Sequence, residues 1–307
     1  MGISSKGAHV KYHFLIPAAV VATVFSSALY SAGTLDWQRL HEEADAMSVA
    51  EAEGKTLKEP FLIEDLYKLG LVYLNAHKDS EAGEVFKRGL ERMPGSFEFR
   101  WGLAEVSRRQ HKLDESEPVL EELVENYPGF APAYISLAYV RYTRMDFTGC
   151  VSLAYQVLEM GRDNVDTSNY TRAYLLVAGG RGMLAHYGGP ISKLANGRAV
   201  LPFLKKAEKL QPDSPAVLFG LGSFYFLAPG IAGGNRVKAR VYLERAVAGD
   251  PLFADAYVRL AQVYKAEGEL KKYDECIARV RQIDPQNALL LDMESSACKF
   301  ICISLER

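Results

Sequence analysis

The sequence predicts an all-α chain of stacked helix pairs, and two observations carry that prediction. Helical periodicities follow one another from about Ile63 onward, with strand signals scarce. Prolines also recur at a fixed interval: Pro94 and Pro128 are 34 residues apart, and so are Pro251 and Pro285. Self-similarity at such a period marks a repeat architecture. The 307 residues, 49% of them hydrophobic, supply enough apolar surface for one continuous core. Charges nearly cancel, with 36 Lys plus Arg against 38 Asp plus Glu, and no basic block appears. A nucleic-acid partner is therefore not expected.

Residues 1–35 are of a different kind. Lys6 and Lys11 precede an uncharged stretch, residues 12–35, centred on "FLIPAAVVATVFSSALYSAG". Ser31, Ala32 and Gly33 close it, and Asp36, Glu42 and Glu43 follow. A basic start, an apolar middle and a small-residue end make the order of an export signal. The stretch is also long enough to span about 30 Å of hydrocarbon with its N-terminus inside. A signal peptide or N-terminal membrane anchor is expected, with a buried N-terminal helix as the alternative. Either of the first two places the remainder outside the cytoplasm, periplasmic or anchored to the inner membrane, touching membrane only through this segment. Residues 36–62 read as a linker and N-terminal capping helix.

The solenoid is expected over residues 63–288. The first unit offers Leu66, Leu69, Gly70 and Tyr73, then Ala82, Phe86, Gly89 and Pro94. The second, residues 97–130, keeps Leu103, Ala104, Leu120, Leu123 and Pro128. The third, residues 131–164, keeps Tyr134, Leu137, Ala138, Cys150, Ala154 and Val157 without the proline. The fourth, about residues 171–214, has Val177, Ala178, Val200, Leu204, Ala207 and Pro212. The fifth has Leu218, Leu221, Gly222 and Tyr225, then Ala239, Leu243, Ala246 and Pro251. The sixth has Tyr257, Leu260, Ala261 and Tyr264, then Tyr273, Ile277, Val280 and Pro285. Small residues let helices A and B of each pair approach, and the proline ends helix B. No pair buries its apolar face alone, so neighbours must stack. Residues 289–307 read as a C-terminal capping helix or tail, the helix running over 288–303.

This pattern resembles the tetratricopeptide repeat (TPR) as found in bacterial proteins, over about three quarters of the chain. The resemblance implies a right-handed superhelical solenoid of about six helix pairs. In that family certain helix A positions line a concave groove, and here they fall on Tyr67, Leu71 and Leu74, then Trp101, Glu105, Arg108 and Arg109. They continue through Ile135, Tyr139 and Tyr142, Leu175 and Met183, Phe219, Phe226 and Leu227, to Val258, Gln262 and Lys265. Between Tyr139 and Leu227 this lining is mostly aromatic and aliphatic. It calls for an occupant: an extended apolar ligand, a partner's helix, or the chain's own C-terminal helix.

Two units carry enlarged A–B turns. Tyr73 to Ala82 is nine residues, whereas Tyr225 to Ala239 is fourteen, with "LAPGIAGG" supplying the excess. The preceding unit has a larger insertion, "HYGGPISKLANG", at residues 186–197. Successive A–B turns emerge on one edge of a solenoid, so two neighbouring insertions form one edge, often a binding face. Its candidate residues are His186, Tyr187, Gly188, Gly189, Lys193 and Arg198 beside Gly233, Gly234, Asn235, Arg236 and Lys238. Gly233 and Gly234 permit positive φ, and Asn235 suits a helix N-cap. Backbone N–H groups there, with Arg236 and Lys238 adjacent, are candidates to hold a carboxylate or phosphate; the bland reading is a longer turn with solvated cations.

Catalytic patterns are wanting. The six histidines form no metal-ligand spacing, no GxSxG elbow exists, and the glycine clusters match neither phosphate-loop fingerprint. No enzyme, metal or cofactor is expected. Cys150, Cys276, Cys298 and Cys302 contain no CxxC pair; Cys298 and Cys302 sit four apart on one expected helical face, and buried free thiols are the reading.

Six helix pairs behind an export signal, with Gly-Gly insertions before "KARVYLERAV" and "PFLKKAEKL", look like the TatT component of TRAP-type transporters. That resemblance implies association with a periplasmic substrate-binding subunit. The chain departs from it in lacking a lipoprotein cysteine and in placing Asn235 where an Asp is expected. A non-enzymatic extracytoplasmic scaffold or adaptor for a partner protein is the functional expectation. The alternatives are a periplasmic carrier with an apolar small molecule in its groove and an assembly factor for cell-surface complexes.

Overall fold

A computed structural model describes residues 1–2, 35–57 and 60–300. The expected signal or anchor, residues 3–34, lies outside the described residues, as does Cys302. Among the described residues the chain forms α-helices and no strand, and none of those helices is long and apolar enough to cross a membrane.

The chain opens with α1 (Trp37–Asp45) and α2 (Val49–Thr56), started by side-chain caps from Asp36 and Ser48. Six A–B pairs follow: α3 (Ile63–Asn75) with α4 (Asp79–Arg92), α5 (Phe97–Arg109) with α6 (Leu113–Asn126), and α7 (Ala131–Thr143) with α8 (Phe147–Met160). Then come α9 (Thr167–Tyr187) with α10 (Pro190–Leu210), α11 (Pro215–Leu227) with α12 (Arg236–Gly249), and α13 (Ala254–Glu267) with α14 (Leu270–Ile283). The short α15 (Ala288–Glu294) ends the described helices. Each pair packs on the next, which is the stacked solenoid the periodicity predicts.

The repeat's large and small positions interlock as the pattern requires. Phe86 is fully buried and wedges between Gly70 of its own pair and Gly102 of the next. Leu243 plays the same part over Gly222 in the fifth pair. Tyr67, Phe99 and Phe130 extend this aromatic core, with Tyr67 edge-on to Phe99 at 5.5 Å.

Most A–B turns share one closing hydrogen bond. The N–H of Lys78 reaches the carbonyl of Tyr73, and Lys112 and Asp146 repeat this to Ser107 and Arg141. It is the wrap-back bond of a Schellman turn, which needs a left-handed residue just before the donor. His77 (φ 57), His111 (φ 60) and Met145 (φ 65) take that conformation.

The two insertions keep the scaffold and depart from each other. In the fifth pair the Asn235 N–H donates to the Tyr225 carbonyl at 2.8 Å, the bond that Lys78 makes to Tyr73. The five extra residues are thus looped out between unchanged anchor points, passing through a short 3-10 turn, Gly230–Ala232. In the fourth pair no long loop forms. Residues 186–197 instead lengthen both helices to 21 residues each, and Gly188 and Gly189 alone make the turn. Pro190 starts α10 at a position where its missing N–H costs nothing. The expected enlarged turn is here a pair of overlong helices.

The C-terminal helix is also shorter than expected. It stops at Glu294, and Ser296 (φ 56) and Cys298 (φ 49) turn the chain back. Cys298 therefore lies in a bend and not on a helix. Cys150 and Cys276 are buried free thiols.

Candidate functional site

The coil encloses a central cavity of about 2130 Å³ lined from helices of all six pairs. Trp101, Tyr139, Tyr142, Leu175, Met183, Phe219 and Leu227 all contribute to its wall. Tyr67 and Phe226 do not, nor do Val258, Gln262 and Lys265 of the sixth pair, and the expectation for these five is corrected. Tyr67 is fully buried beneath α1, its hydroxyl bonded to His41. Phe226 is 7% exposed and belongs to the core with Val258 and Ala261.

The helix α1 lies on the concave side rather than capping the end alone. His41 Nδ1 accepts from the Asn169 amide at 3.4 Å, so its Nε2–H donates to the Tyr67 hydroxyl at 3.1 Å. Glu42 accepts from the Thr167 backbone N–H at 2.6 Å, and the Ser168 hydroxyl donates to Asp45. These bonds tie the first helix to α9, across three intervening pairs. Burial holds the His41 ring neutral, with its pKa lowered to about 3.

The wall's cations are mostly committed. Arg108 forks onto Glu105 at 2.6 and 2.7 Å and lies 5.0 Å from the centre of the Tyr139 ring. Ser136 donates to the same carboxylate at 2.7 Å and accepts from the Trp101 indole N–H at 3.0 Å. Burial opposes the Glu105 charge, but Arg108 outweighs it and holds the pKa at about 2. Arg109 pairs with Asp79 at 2.8 Å. Arg172, Lys193 and Arg198 line the cavity without an ion pair among the described residues.

The C-terminal tail covers part of the wall, though not as the expected helix. Asp292 accepts from the N–H groups of Lys299 and Phe300, at 2.7 and 2.8 Å. This places the Phe300 ring parallel to Tyr142 at 5.8 Å, in one apolar cluster with Phe147 and Met183. The Tyr187 hydroxyl donates to the Lys299 carbonyl at 2.8 Å.

Both insertions reach the same cavity: His186, Lys193, Leu194 and Arg198 line it from one, Pro229, Ile231 and Ala232 from the other. Ile191 is 86% exposed, Leu194 60%, Ile231 103% and Val237 72%, so both insertions carry bare apolar side chains, of which Leu194 and Ile231 line the cavity. Between Thr167 and Leu243 only Glu208 and Asp213 are acidic, whereas Lys and Arg recur throughout. Gly188 and Gly189 only make the turn, and neither has positive φ. Gly233 does (φ 97), and a Cβ on Gly234 would meet the Ala228 carbonyl oxygen at 1.9 Å. The backbone N–H groups of Ala232 to Asn235 all have carbonyl partners within the bend or in α11, and Asn235 Oδ1 caps Lys238 N. The expected anion cradle is therefore filled by the protein itself. Arg236 donates to the Ala266 carbonyl, and the Lys238 ammonium stands 5.3 Å from the Tyr225 ring centre.

Three features had no place in the sequence reading: the inward seat of α1, the unpaired Arg172, and two contacts that join the coil's ends, His77 with Asp250 and His111 with Asp284. The last left a signal, because both histidines and both Asp-Pro dipeptides are spaced by 34 residues. Among the described residues no cluster of His, Cys, Asp and Glu could hold a metal ion.

A family model described as "Tetratricopeptide repeat" matches residues 67–130, and no curated protein matches the chain. Solved structures are similar in fold. A tetratricopeptide repeat protein from Parabacteroides merdae has 12% identity and a TM-score of 0.51, covering 84% of this chain and 97% of that one. The chain from the APC/C hetero-tetramer Cut9–Hcn1 gives 12% identity and 0.59, covering 84% and 46%. A monomeric mutant of IFIT1 with Gppp-AAAA gives 19% and 0.54, covering 80% and 57%. The chain thus spans about half the length of the last two. The fold is a tetratricopeptide-like solenoid of stacked helix pairs.

Proposed function

We propose that this protein is a non-enzymatic extracytoplasmic adaptor that takes a segment of a partner polypeptide into its central cavity, the two insertions forming the edge the partner meets first. The observation that carries this reading is the cavity itself. Its roughly 2130 Å³ is well above the ~300–1,000 Å³ usual for small-molecule pockets. Its wall is aromatic and aliphatic around Tyr139, Leu175, Phe219 and Leu227, which suits an apolar side of an extended or helical segment. The unpaired cations Arg172, Lys193 and Arg198 favour a segment carrying carboxylates.

The placement of the edge supports a tethered adaptor. The Leu35 N–H bonds Glu98, and Gln38 bonds the Asp163 carbonyl, so the chain enters the fold beside the B–A turns. The insertions lie at the other ends of helices 13 residues or longer, about 20 Å away at 1.5 Å per residue. An N-terminal anchor would leave them free for a partner. In its sharper form the reading is a TatT-like accessory of a TRAP-type transporter, with a periplasmic substrate-binding subunit as the partner.

The test is capture from periplasmic extract with the full chain, alongside native mass spectrometry of the purified protein. A co-purifying protein lost on Ile191→Asp with Ile231→Asp supports the adaptor. A bound small molecule and no protein would replace it with the carrier reading.

A further inference from the structure

The coil closes on itself through two copies of one contact. The His77 Nε2–H donates to Asp250 at 2.9 Å, and the His111 Nε2–H donates to Asp284 at 3.0 and 3.1 Å. Each contact joins residues 173 apart in sequence. One repeat separates the two histidines and one repeat separates the two aspartates. The histidines hold the left-handed position of the first two A–B turns, while the aspartates are the C-caps of α12 and α14. No helix of α3 to α6 packs broadly on any helix of α11 to α14. The seam along this side of the cavity is therefore thin and polar. Its histidine side chains are 32% and 36% exposed, open to exchange protons with solvent.

We propose that these contacts form a proton-operated clasp on the side of the cavity, shut when His111 is charged and loosened when it is neutral. The two histidines differ in their surroundings. At His77 the Arg109 guanidinium, itself paired with Asp79, donates to Nδ1 at 3.4 Å, so both ring nitrogens are engaged. At His111 the Nδ1 has no such bond. The ring faces Asp284 directly, with the Asp255 charge adding to it and Arg108 opposing. The bond to Asp284 raises the His111 pKa above its ordinary value, against burial. Burial likewise works against the Asp284 charge, and the bond to His111 overcomes it, so that carboxyl titrates below its usual range. Over the window between those values the contact is an ion pair; above it, a neutral hydrogen bond remains. His111 is the titrating half of the clasp. A segment enters the cavity from the side only when the clasp is open.

That consequence rests on the cavity being the binding site, but the clasp can be read without a partner. Spin labels at Lys87→Cys and Lys271→Cys, in full-length chain with Cys298→Ser and Cys302→Ser, report the distance between α4 and α14 across the seam. One narrow distance is expected at pH 5.5, and a longer, broader distribution at pH 8.5. His111→Gln should show the broad distribution at both pH values, while His77→Gln keeps the pH response. Identical distributions at the two pH values, or a response that survives His111→Gln, would overturn the clasp. Neither outcome touches capture from extract, so the adaptor reading and the clasp stand or fall separately.

Discussion

The Phe86 ring occupies the space that a side chain on Gly70 would need: a Cβ there would lie 2.3 Å from Phe86 Cε1. Phe86 cannot withdraw, because Gly102 of the next pair bounds it on the other side at 2.6 Å. One ring thus fixes both the A–B spacing of the first pair and the pair-to-pair spacing. Gly70→Ala gains about 0.5–1 kcal/mol of helix propensity and meets an overpacking cost of about 1–3 kcal/mol. A net loss of stability is expected in urea unfolding. Gly54→Ala, in α2 with nothing within 4 Å of the added methyl, should gain stability instead.

Breaking the Glu105–Arg108 pair should be costly and pH-dependent. Glu105→Gln leaves a buried guanidinium facing a neutral amide, which costs about 3–5 kcal/mol where burial is complete and less here, since Arg108 is 20% exposed. The folded pKa of about 2 lies below the ordinary 4.5. The wild type therefore keeps this contribution above pH 4.5 and loses it as pH falls toward 2. Unfolding free energies between pH 7 and 3 should converge for wild type and Glu105→Gln as the pH drops.

His41 acts in another window. Its folded pKa of about 3 is below the ordinary 6.5, so the unfolded chain takes up the proton first. Stability is complete above pH 6.5 and declines below it, by at most about 1.4 kcal/mol per pH unit. His41→Phe removes the hydrogen bonds to Tyr67 and Asn169 and lowers stability at pH 7. It should also flatten the slope between pH 6.5 and 5. A slope equal to that of wild type would mean that another group carries the acid sensitivity.

The solenoid was legible because a repeat writes the same packing problem six times. Gly70 with Phe86 and Gly222 with Leu243 are the same solution, and one instance explains the other. Insertions were legible as extra length but not as conformation. "HYGGPISKLANG" contains a proline that can start a helix, and flanking helices on both sides make extension cheaper than a loop. The groove positions followed from helix phase wherever helix A faced the open cavity. They failed at Tyr67, where α1 had already claimed the surface through His41, and at Phe226 and Val258, which the core between the last pairs takes up. Contacts across 173 residues, such as His77 with Asp250, depend on how far the coil turns, a sum of small rotations that no single repeat encodes.

Gly179 offers a way to separate the cavity from its edge. It lies within α9 on the cavity wall, and a Cβ there would meet only Tyr142, at 3.5 Å, an ordinary contact. The added carbon is thus accommodated, and a longer side chain there has the cavity beside it. Gly179→Met should therefore raise stability by roughly 0.5–1 kcal/mol through helix propensity while taking up room that a bound segment needs. If the partner lies inside, its affinity falls at least about tenfold, or 1.4 kcal/mol, although the protein is more stable. If the partner rests only on the edge at Ile191 and Ile231, Gly179→Met leaves affinity unchanged and Ile231→Asp alone weakens it. Calorimetric titration of the captured partner against both variants, beside their thermal unfolding, decides between the two positions.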